Sequence, residues 1–342
     1  MGEKNYQIIV DAMGGDYAPA APIEGALLAL EKYPTLKIIL TGTKEALEEQ
    51  LEGKTYDKDR LSLIYTTEVI ESEEQSPVEA VRRKKDSSMS VAFRMLKNGE
   101  ADGFVSAGNT GAVLAGGTLL AGRLKGVKRP ALTVLFPTGK MPTMVLDVGA
   151  NMDPKPEYLV QFARMSSIYY RNLYGVEKPT IGLLNVGTED SKGTELAKET
   201  HKLLSENMDL EFAGNVEARD VFSGSTNIIV ADGFSGNVML KTTEGTAAYI
   251  IALLKEALMS SFMTKLAALI LKPHLKKLKM ALDPRSVGGA PLLGVNGAVI
   301  KAHGNSKGDS ILNAVGQCLT FIETGVNPEI EAALGKGESK DD

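Results

Sequence analysis

Seven consecutive residues, Ser106-Ala-Gly-Asn-Thr-Gly-Ala112, have the types and spacing of an anion cradle. They follow a short extended run, Asp102–Val105, and precede a stretch of small residues, Val113–Ala121, that suits a helix. A strand that bends on glycines into a helix leaves several backbone N–H groups aimed at one point, with the helix dipole behind them. Four other segments repeat this grammar of an apolar run followed by Gly, Asn, Asp or Thr: DAMGGD at 11–16, DVGAN at 147–151, NVGTE at 185–189 and DGFSGN at 232–237. Five such turns predict one polar crevice lined by strand ends on a single edge of an open α/β sheet, where such sheets bind ligands.

Acid–base and cationic candidates sit beside these turns. Lys192 and Lys241 lie a few residues beyond two of them, placed either to neutralise a bound anion or simply to face solvent. Of the histidines, His201 falls on a polar helix and His274 follows Pro273 in a basic segment. His303, in the turn Lys301-Ala-His-Gly-Asn-Ser306, is left as the candidate imidazole. Asp11, Asp16, Asp147 and Asp232 raise the idea of a metal site, but histidine is scarce and aspartates beside glycine also cap turns, so no metal is expected. Cys318 shares the apolar side of a helix with Ile311, Leu312, Val315 and Ile322, which disfavours covalent cysteine chemistry. No Gly-x-Ser-x-Gly elbow offers a serine nucleophile. DAMGGD lacks the spacing of a dinucleotide fingerprint, and Gly187–Thr194 sets Lys before Gly rather than in P-loop order. A nicotinamide dehydrogenase and an NTPase are both disfavoured, and no cofactor is expected.

These groups need a large framework. The 342 residues suffice for one big α/β domain or two smaller ones. The formal net charge of −5 argues against nucleic-acid binding, so basic character matters only locally. A single cysteine excludes an internal disulfide and fits a reducing, cytosolic setting. The chain starts almost at once on a strand, without a signal-like segment, and Tyr6 stands where a myristoylation motif wants Ser or Thr. Strands are expected at 6–10, 36–40, 61–65, 180–184, 210–213 and 227–231, separated by helical stretches, which predicts a mainly parallel sheet with right-handed crossovers. Residues 131–136 and 143–148 flank Pro137–Pro142 and predict an antiparallel hairpin.

Beyond Gly236 the pattern is almost wholly helical to about Leu282. Over 254–272, Leu258, Phe262, Leu266 and Leu269 are expected on one helical side, with Met259, Met263 and Ile270 beside them. Lys272, Lys276, Lys277 and Lys279 make the end of this helical hairpin basic. Two readings stand together: a core or dimer-interface helix pair, or an apolar tip dipping into a membrane interface beside anionic head groups. The basic run Arg82–Lys85 is either a solvated face or an anion-facing stripe. The final residues, 335–342, are polar and expected to be loose.

Taken in collinear order, DAMGGD, SAGNTGA, LLNVGTE, DGFSGN and GGAPLLGVNG at 288–297 resemble the bacterial phosphate acyltransferase (PlsX) family of phospholipid synthesis, from about Ile8 to Glu323. The resemblance implies an α/β catalytic unit over 1–342 with a three-layer isocitrate/isopropylmalate-dehydrogenase-like fold, a mostly parallel sheet, and a protruding helical hairpin at about 246–282. It implies transfer of a long-chain acyl group from acyl-acyl carrier protein to inorganic phosphate. It further implies a homodimer in the cytoplasm, peripherally attached to the inner face of the cell membrane, that hands its product to a membrane glycerol-3-phosphate acyltransferase. On that basis Gly14, Gly15, Ser106, Gly108, Asn109, Thr110 and Gly111 are expected to bind phosphate. Asn185, Lys192, Asn237 and Lys241 are expected to stabilise charge, His303 to carry a proton, and Leu258, Phe262, Leu266 and Leu269 to touch the membrane. The competing readings are a phosphotransacetylase-type enzyme using acyl-coenzyme A and a catalytically silent membrane scaffold.

Overall fold

A computed structural model describes residues 5–335 apart from 283–287, with backbone alone for 276–282. The first half alternates as the sequence predicts: β1 (Tyr6–Asp11), α1 (Ala20–Lys32), β2 (Leu36–Thr43), α2 (Lys44–Leu51), β3 (Leu61–Thr66). Two helices follow, α3 (Pro77–Arg83) and α4 (Ser88–Lys97), then β4 (Gly103–Ser106) and α5 (Thr110–Gly116), which runs on into a wider π turn over Gly117–Ala121. The chain continues through β5 (Ala131–Phe136), β6 (Thr143–Leu146), α6 (Pro156–Tyr174), β7 (Thr180–Asn185), α7 (Glu195–Ser205), β8 (Glu211–Glu217) and β9 (Ile228–Val230). It closes with α8 (Gly233–Met259), α9 (Phe262–Leu282), β10 (Ala290–Leu293), β11 (Ala298–Lys301), α10 (Gly308–Glu323) and α11 (Val326–Leu334).

All the strands join one 11-stranded sheet in the order β3-β2-β1-β4-β11-β10-β5-β6-β9-β7-β8. Alternate residues of β1 show why it is covered on both faces. Ile8 and Val10 enter a core with α1, α6 and α10, whereas Ile9 enters a second core with Phe93 of α4 and Val113 of α5. Period-two alternation of two apolar sets makes a three-layer α/β stack.

Strand direction reverses in the middle of the sheet. β3, β2, β1, β4 and β11 run parallel to one another; β10, β5 and β6 pair antiparallel in turn; β6, β9, β7 and β8 then run parallel in the opposite sense. The expectation of a single ligand edge is therefore corrected. The turns after β1, β4 and β11 leave one edge, and those after β6, β7 and β9 leave the other. The cause is the hairpin β5–β6, legible in the sequence as a hairpin but not as the point where the parallel halves invert.

Helix α8 links the two edges. Asp232 caps its start, accepting from the Ser235 N–H at 2.8 Å. Gly236 passes so close to the turn after β6 that an added Cβ would lie 2.0 Å from the Asp147 carbonyl oxygen. From there α8 packs against β6 and reaches the turn after β11, where Glu244 stands 3.6 Å from His303. Its remaining length forms an arm with α9, largely uncovered: Tyr249, Ile250, Phe262, Met263, Leu269 and Ile270 are each more than half exposed. The sequence expectation of one continuous apolar helical face over 254–272 is corrected here. The chain breaks at Ser260–Ser261, where Ser261 Oγ accepts from the Thr264 N–H at 3.2 Å and Thr264 Oγ1 accepts from the Ser261 N–H at 3.0 Å. That reciprocal cap starts a new helix. Leu258 ends up half-buried on α8, and Phe262, Leu266 and Leu269 are exposed on α9. Among the described residues no helix is long and apolar enough to cross a membrane. The side chains of Lys276, Lys277 and Lys279, and residues 336–342, lie outside the described residues.

Candidate active site

The glycine turns after β1 and β4 are built against each other through one buried carboxylate. Asp11 Oδ1 accepts from Ser88 Oγ at 2.7 Å and from the Met13 N–H at 3.1 Å, and Oδ2 accepts from Ser106 Oγ at 2.7 Å. The Ser106 hydroxyl in turn accepts from the Gly108 N–H at 3.0 Å. Burial pushes the Asp11 carboxyl above the usual range, against the opposing pull of these hydrogen bonds. Gly14 makes the contact possible: a Cβ there would stand 2.7 Å from the Gly108 nitrogen and 2.8 Å from Ser106 Oγ.

Asn109 completes the turn from outside. Its Oδ1 accepts from the Ala112 N–H at 3.0 Å, the N-cap interaction, while Nδ2 donates to the Ser72 carbonyl at 3.0 Å. The side chains of Ser106 and Asn109 are thus both engaged in holding the turn's shape. What the turn presents outward is backbone. The first N–H groups of a helix have no intrahelical partner, and with Ala112 capped those of Thr110 and Gly111 remain for a ligand.

Thr110 lines a cleft of about 200 Å³ that also brings together Asn237, Lys241 and Glu244 of α8, Lys301 at the end of β11 and His303 just after it. Leu132 and Val134 of β5, with Val148 and Leu240, line it with aliphatic surface. Lys241 Nζ donates to Glu244 Oε2 at 2.8 Å. Burial pushes the Glu244 carboxyl up, but His303 and Lys241 beside it outweigh that and hold it below the ordinary glutamate range. Lys301 is 8% exposed and donates to the carbonyls of Ala107, at 3.3 Å, and of Ala302. Burial, reinforced by the charge of Lys241, lowers its ammonium to about 8. The result is a pocket with the side chains of Lys241, Lys301 and His303, the Thr110 start of α5 and an aliphatic floor. It can hold an anion next to a hydrophobic chain.

The chain from residue 6 to 329 matches the model of a family described as fatty acid synthesis protein. It is 47% identical over 328 residues to a phosphate acyltransferase of Clostridium novyi (strain NT), covering 96% of this chain and 98% of that one. It is 46% identical over 331 residues to a phosphate acyltransferase of Clostridioides difficile (strain 630), covering 96% of each. The chain belongs to the fatty acid synthesis protein family. Its fold is shared with a phosphotransacetylase from Streptococcus pyogenes, at a TM-score of 0.57 and 18% identity over 94% of both chains. It is also shared with the EutD phosphotransacetylase from Staphylococcus aureus, at a TM-score of 0.55 and 16% identity over 94% of both.

Within this member of the family, the residues singled out by sequence divide in two. Gly14, Gly15, Ser106, Gly108, Asn109, Thr110 and Gly111 come together with His303, and Asn237 and Lys241 face them across the cleft. Asn185 and Lys192 do not line it. Asn185 Nδ2 donates to the Lys192 carbonyl at 3.2 Å, Lys192 Nζ stands 4.0 Å from Glu189, and this turn leaves the sheet one strand beyond β9. Asp147 and Asp232 are turn builders. Asp147 accepts from the N–H groups of Leu132, Ala150 and Asn151, and Asp232 caps α8. Cys318 is buried, and burial pushes its thiol well up. Sequence reasoning missed Asp11 as a brace, Glu244 as a bridge and Lys301 altogether. For Lys301 the signal was present: a lysine closing the buried run Ala298-Val-Ile300 has no reason to be there as a solvated group.

Proposed function

We propose that this protein transfers a long-chain fatty acyl group from acyl-acyl carrier protein to inorganic phosphate, giving acyl phosphate and free carrier protein. The observation that carries this reading is the composition of the cleft. Cationic groups and free N–H groups suited to phosphate share one space with an aliphatic floor suited to an acyl chain. The family's phosphate acyltransferases support the same chemistry.

A phosphate oxygen attacks the thioester carbonyl carbon, forming a C–O bond and a tetrahedral oxyanion. Collapse of that intermediate breaks the C–S bond. The leaving thiol, with an ordinary pKa of about 8.5, departs readily as thiolate, and His303 is the group we assign to protonate it. Phosphate supplies the nucleophile, so the enzyme contributes alignment and charge stabilisation. Asn237 and Lys241 face the anion site. Asn185 and Lys192, one strand further on, are assigned to the part of the donor outside the cleft.

The exposed arm supports a peripheral membrane contact through Phe262, Leu266 and Leu269, with Leu258 behind them, and a homodimer that sets two arms side by side. The acceptor of the product would be a membrane glycerol-3-phosphate acyltransferase. Carrier protein is acidic, and Arg82, Arg83 and Lys85 stand exposed at the end of α3, which packs on the start of α5 beside the cleft.

The test is to incubate the protein with phosphate and palmitoyl-acyl carrier protein and trap acyl phosphate as its hydroxamate. Hydroxamate formation that requires both substrates is expected. None at all would favour a silent scaffold. Faster turnover with acetyl-coenzyme A would favour a phosphotransacetylase-type enzyme, the reading suggested by the shared fold.

A further inference from the structure

Lys301 stands out in this cleft because it is a buried cation without a counter-charge. Lys241, by contrast, is 57% exposed at its side chain and already paired with Glu244. Lys301 forms no ion pair with any of the described residues; its two hydrogen bonds go to neutral carbonyls, those of Ala107 and Ala302. Its nearest acids act on it only at longer range: Asp11 from β1 and Asp16 from the following turn. An ammonium group has three N–H donors, so one is left over, and the residue lines the cleft. A charge taken out of water without a partner is costly, and the fold tolerates it where a ligand supplies the partner.

We propose that Lys301 is a direct ligand of the phosphate, reaching it from beneath the 106–112 turn while holding that turn through the Ala107 carbonyl. The assignment rests on phosphate being the acceptor substrate. The two contacts have one geometric consequence: the same ammonium fixes the height of the backbone cradle and meets the anion within it. Lysine here is a point charge, which suits an ion whose other oxygens are met by backbone N–H groups.

Titration follows with a definite sign. The Lys301 ammonium is charged below about 8 and loses its proton above it. Inorganic phosphate is mostly the dianion at the bottom of that range and wholly so above it, so loss of the ammonium charge makes phosphate affinity fall as pH rises from 7.5 to 9.5. Asp11, Asp16, Lys241, Glu244 and His303 are the other titratable groups around the site. Lys241 is the other lysine of the cleft, so Lys241→Met is the control.

The experiment measures the rise in melting temperature on adding inorganic phosphate, together with KM for phosphate, across pH 7.5–9.5. The proteins are wild type, Lys301→Met, Lys301→Arg and Lys241→Met. Phosphate binding is read without acyl transfer, so a protein that makes no acyl hydroxamate still tests Lys301. Expected are a loss of the phosphate-induced shift and at least a tenfold rise in KM in Lys301→Met, with its alkaline weakening abolished. Lys241→Met keeps the alkaline weakening but moves it to higher pH, because a charge that lowers Lys301 is gone. In phosphate-free buffer Lys301→Met melts no lower than wild type, because a buried unpaired charge has been removed. Phosphate affinity within twofold of wild type in Lys301→Met overturns the proposal. So does a loss of affinity that is matched by a lower melting temperature without phosphate, which would make Lys301 a brace for Ala107 alone. Should Lys301→Met fail to fold, Lys301→Arg decides: persistence of the alkaline weakening in a permanently charged variant overturns the assignment.

Discussion

Glu244 Oε1 lies 3.6 Å from His303 Nε2, joining a helix that starts at one edge of the sheet to a turn that leaves the other. Because Glu244 also receives a hydrogen bond from Lys241 at 2.8 Å, one carboxylate sets the position of two candidate catalytic side chains. Glu244→Gln keeps the size and removes the charge. Turnover is expected to fall about tenfold or more, a part of the roughly 10²–10⁴-fold that a positioned general acid contributes. The stability effect has a fixed sign. The glutamate's pKa is lowered in the fold, so its contribution is present above the ordinary glutamate range and is lost as acid protonates it. The gap in urea stability between wild type and Glu244→Gln should therefore be full at pH 7 and close as the pH is lowered through 4. A gap that widens in acid would contradict the bridge.

Asn109 separates structure from contact. Asn109→Ala removes an N-cap and the tether to Ser72, at a cost of about 0.5–2 kcal/mol for the cap alone. Asn109→Asp keeps the cap acceptor at Oδ1 and loses the donor at Nδ2. Denaturant titration should place Asn109→Asp between wild type and Asn109→Ala. Turnover should fall at least tenfold in Asn109→Ala, and proteolysis within 71–76 should quicken in both variants. Equal stability of all three proteins would remove the tether from the account.

The aliphatic floor makes a prediction about substrate choice. Val134 lines the cleft from β5, so Val134→Phe shortens its aliphatic space. The ratio of kcat/KM for palmitoyl over octanoyl donors should drop by about tenfold, since each methylene displaced from an apolar site is worth about 0.8 kcal/mol. KM for phosphate should stay put. An unchanged chain-length profile would place the acyl chain elsewhere.

Lys192 tests the division between cleft and approach. Its turn stands one strand beyond β9, outside the cleft. Lys192→Ala is expected to raise KM for the acyl donor severalfold while leaving KM for phosphate within twofold. A selective loss of phosphate binding would mean that the turn after β7 closes over the cleft during the reaction.

Much of this was written in the local sequence. Two apolar sets alternating through Ile8-Ile9-Val10 required a sheet covered on both faces, and the five glycine turns marked where strands would end. Helix α4 was legible but passed over: Ser87 accepts from the Ser90 N–H, and Met89, Ala92, Phe93 and Leu96 follow at helical spacing. The inversion of the sheet at β5–β6 was a different matter, because strand direction is fixed by distant pairing and not by the residues of the strand itself. The same limit hid what Glu244 meets: His303 lies beyond another strand, and a glutamate on a helix reads locally as an ordinary surface group. For Lys301 the buried run before it was a signal, but the Ala107 carbonyl that it meets also lies beyond another strand. Ser106 and Asn109 illustrate the converse. Their residue types pointed to the turn after β4, but only the structure shows their polar atoms turned inward to build it.

Helix α8 is a single rod of 27 residues whose first turns carry Asn237, Lys241 and Glu244 and whose last turns carry the apolar arm. At 1.5 Å per residue, Glu244 and Met259 are about 22 Å apart along one stiff axis. Any displacement of the outer end of so continuous a rod is shared with the turns that carry Lys241 and Glu244, because no break in the helix between Glu244 and Met259 absorbs it.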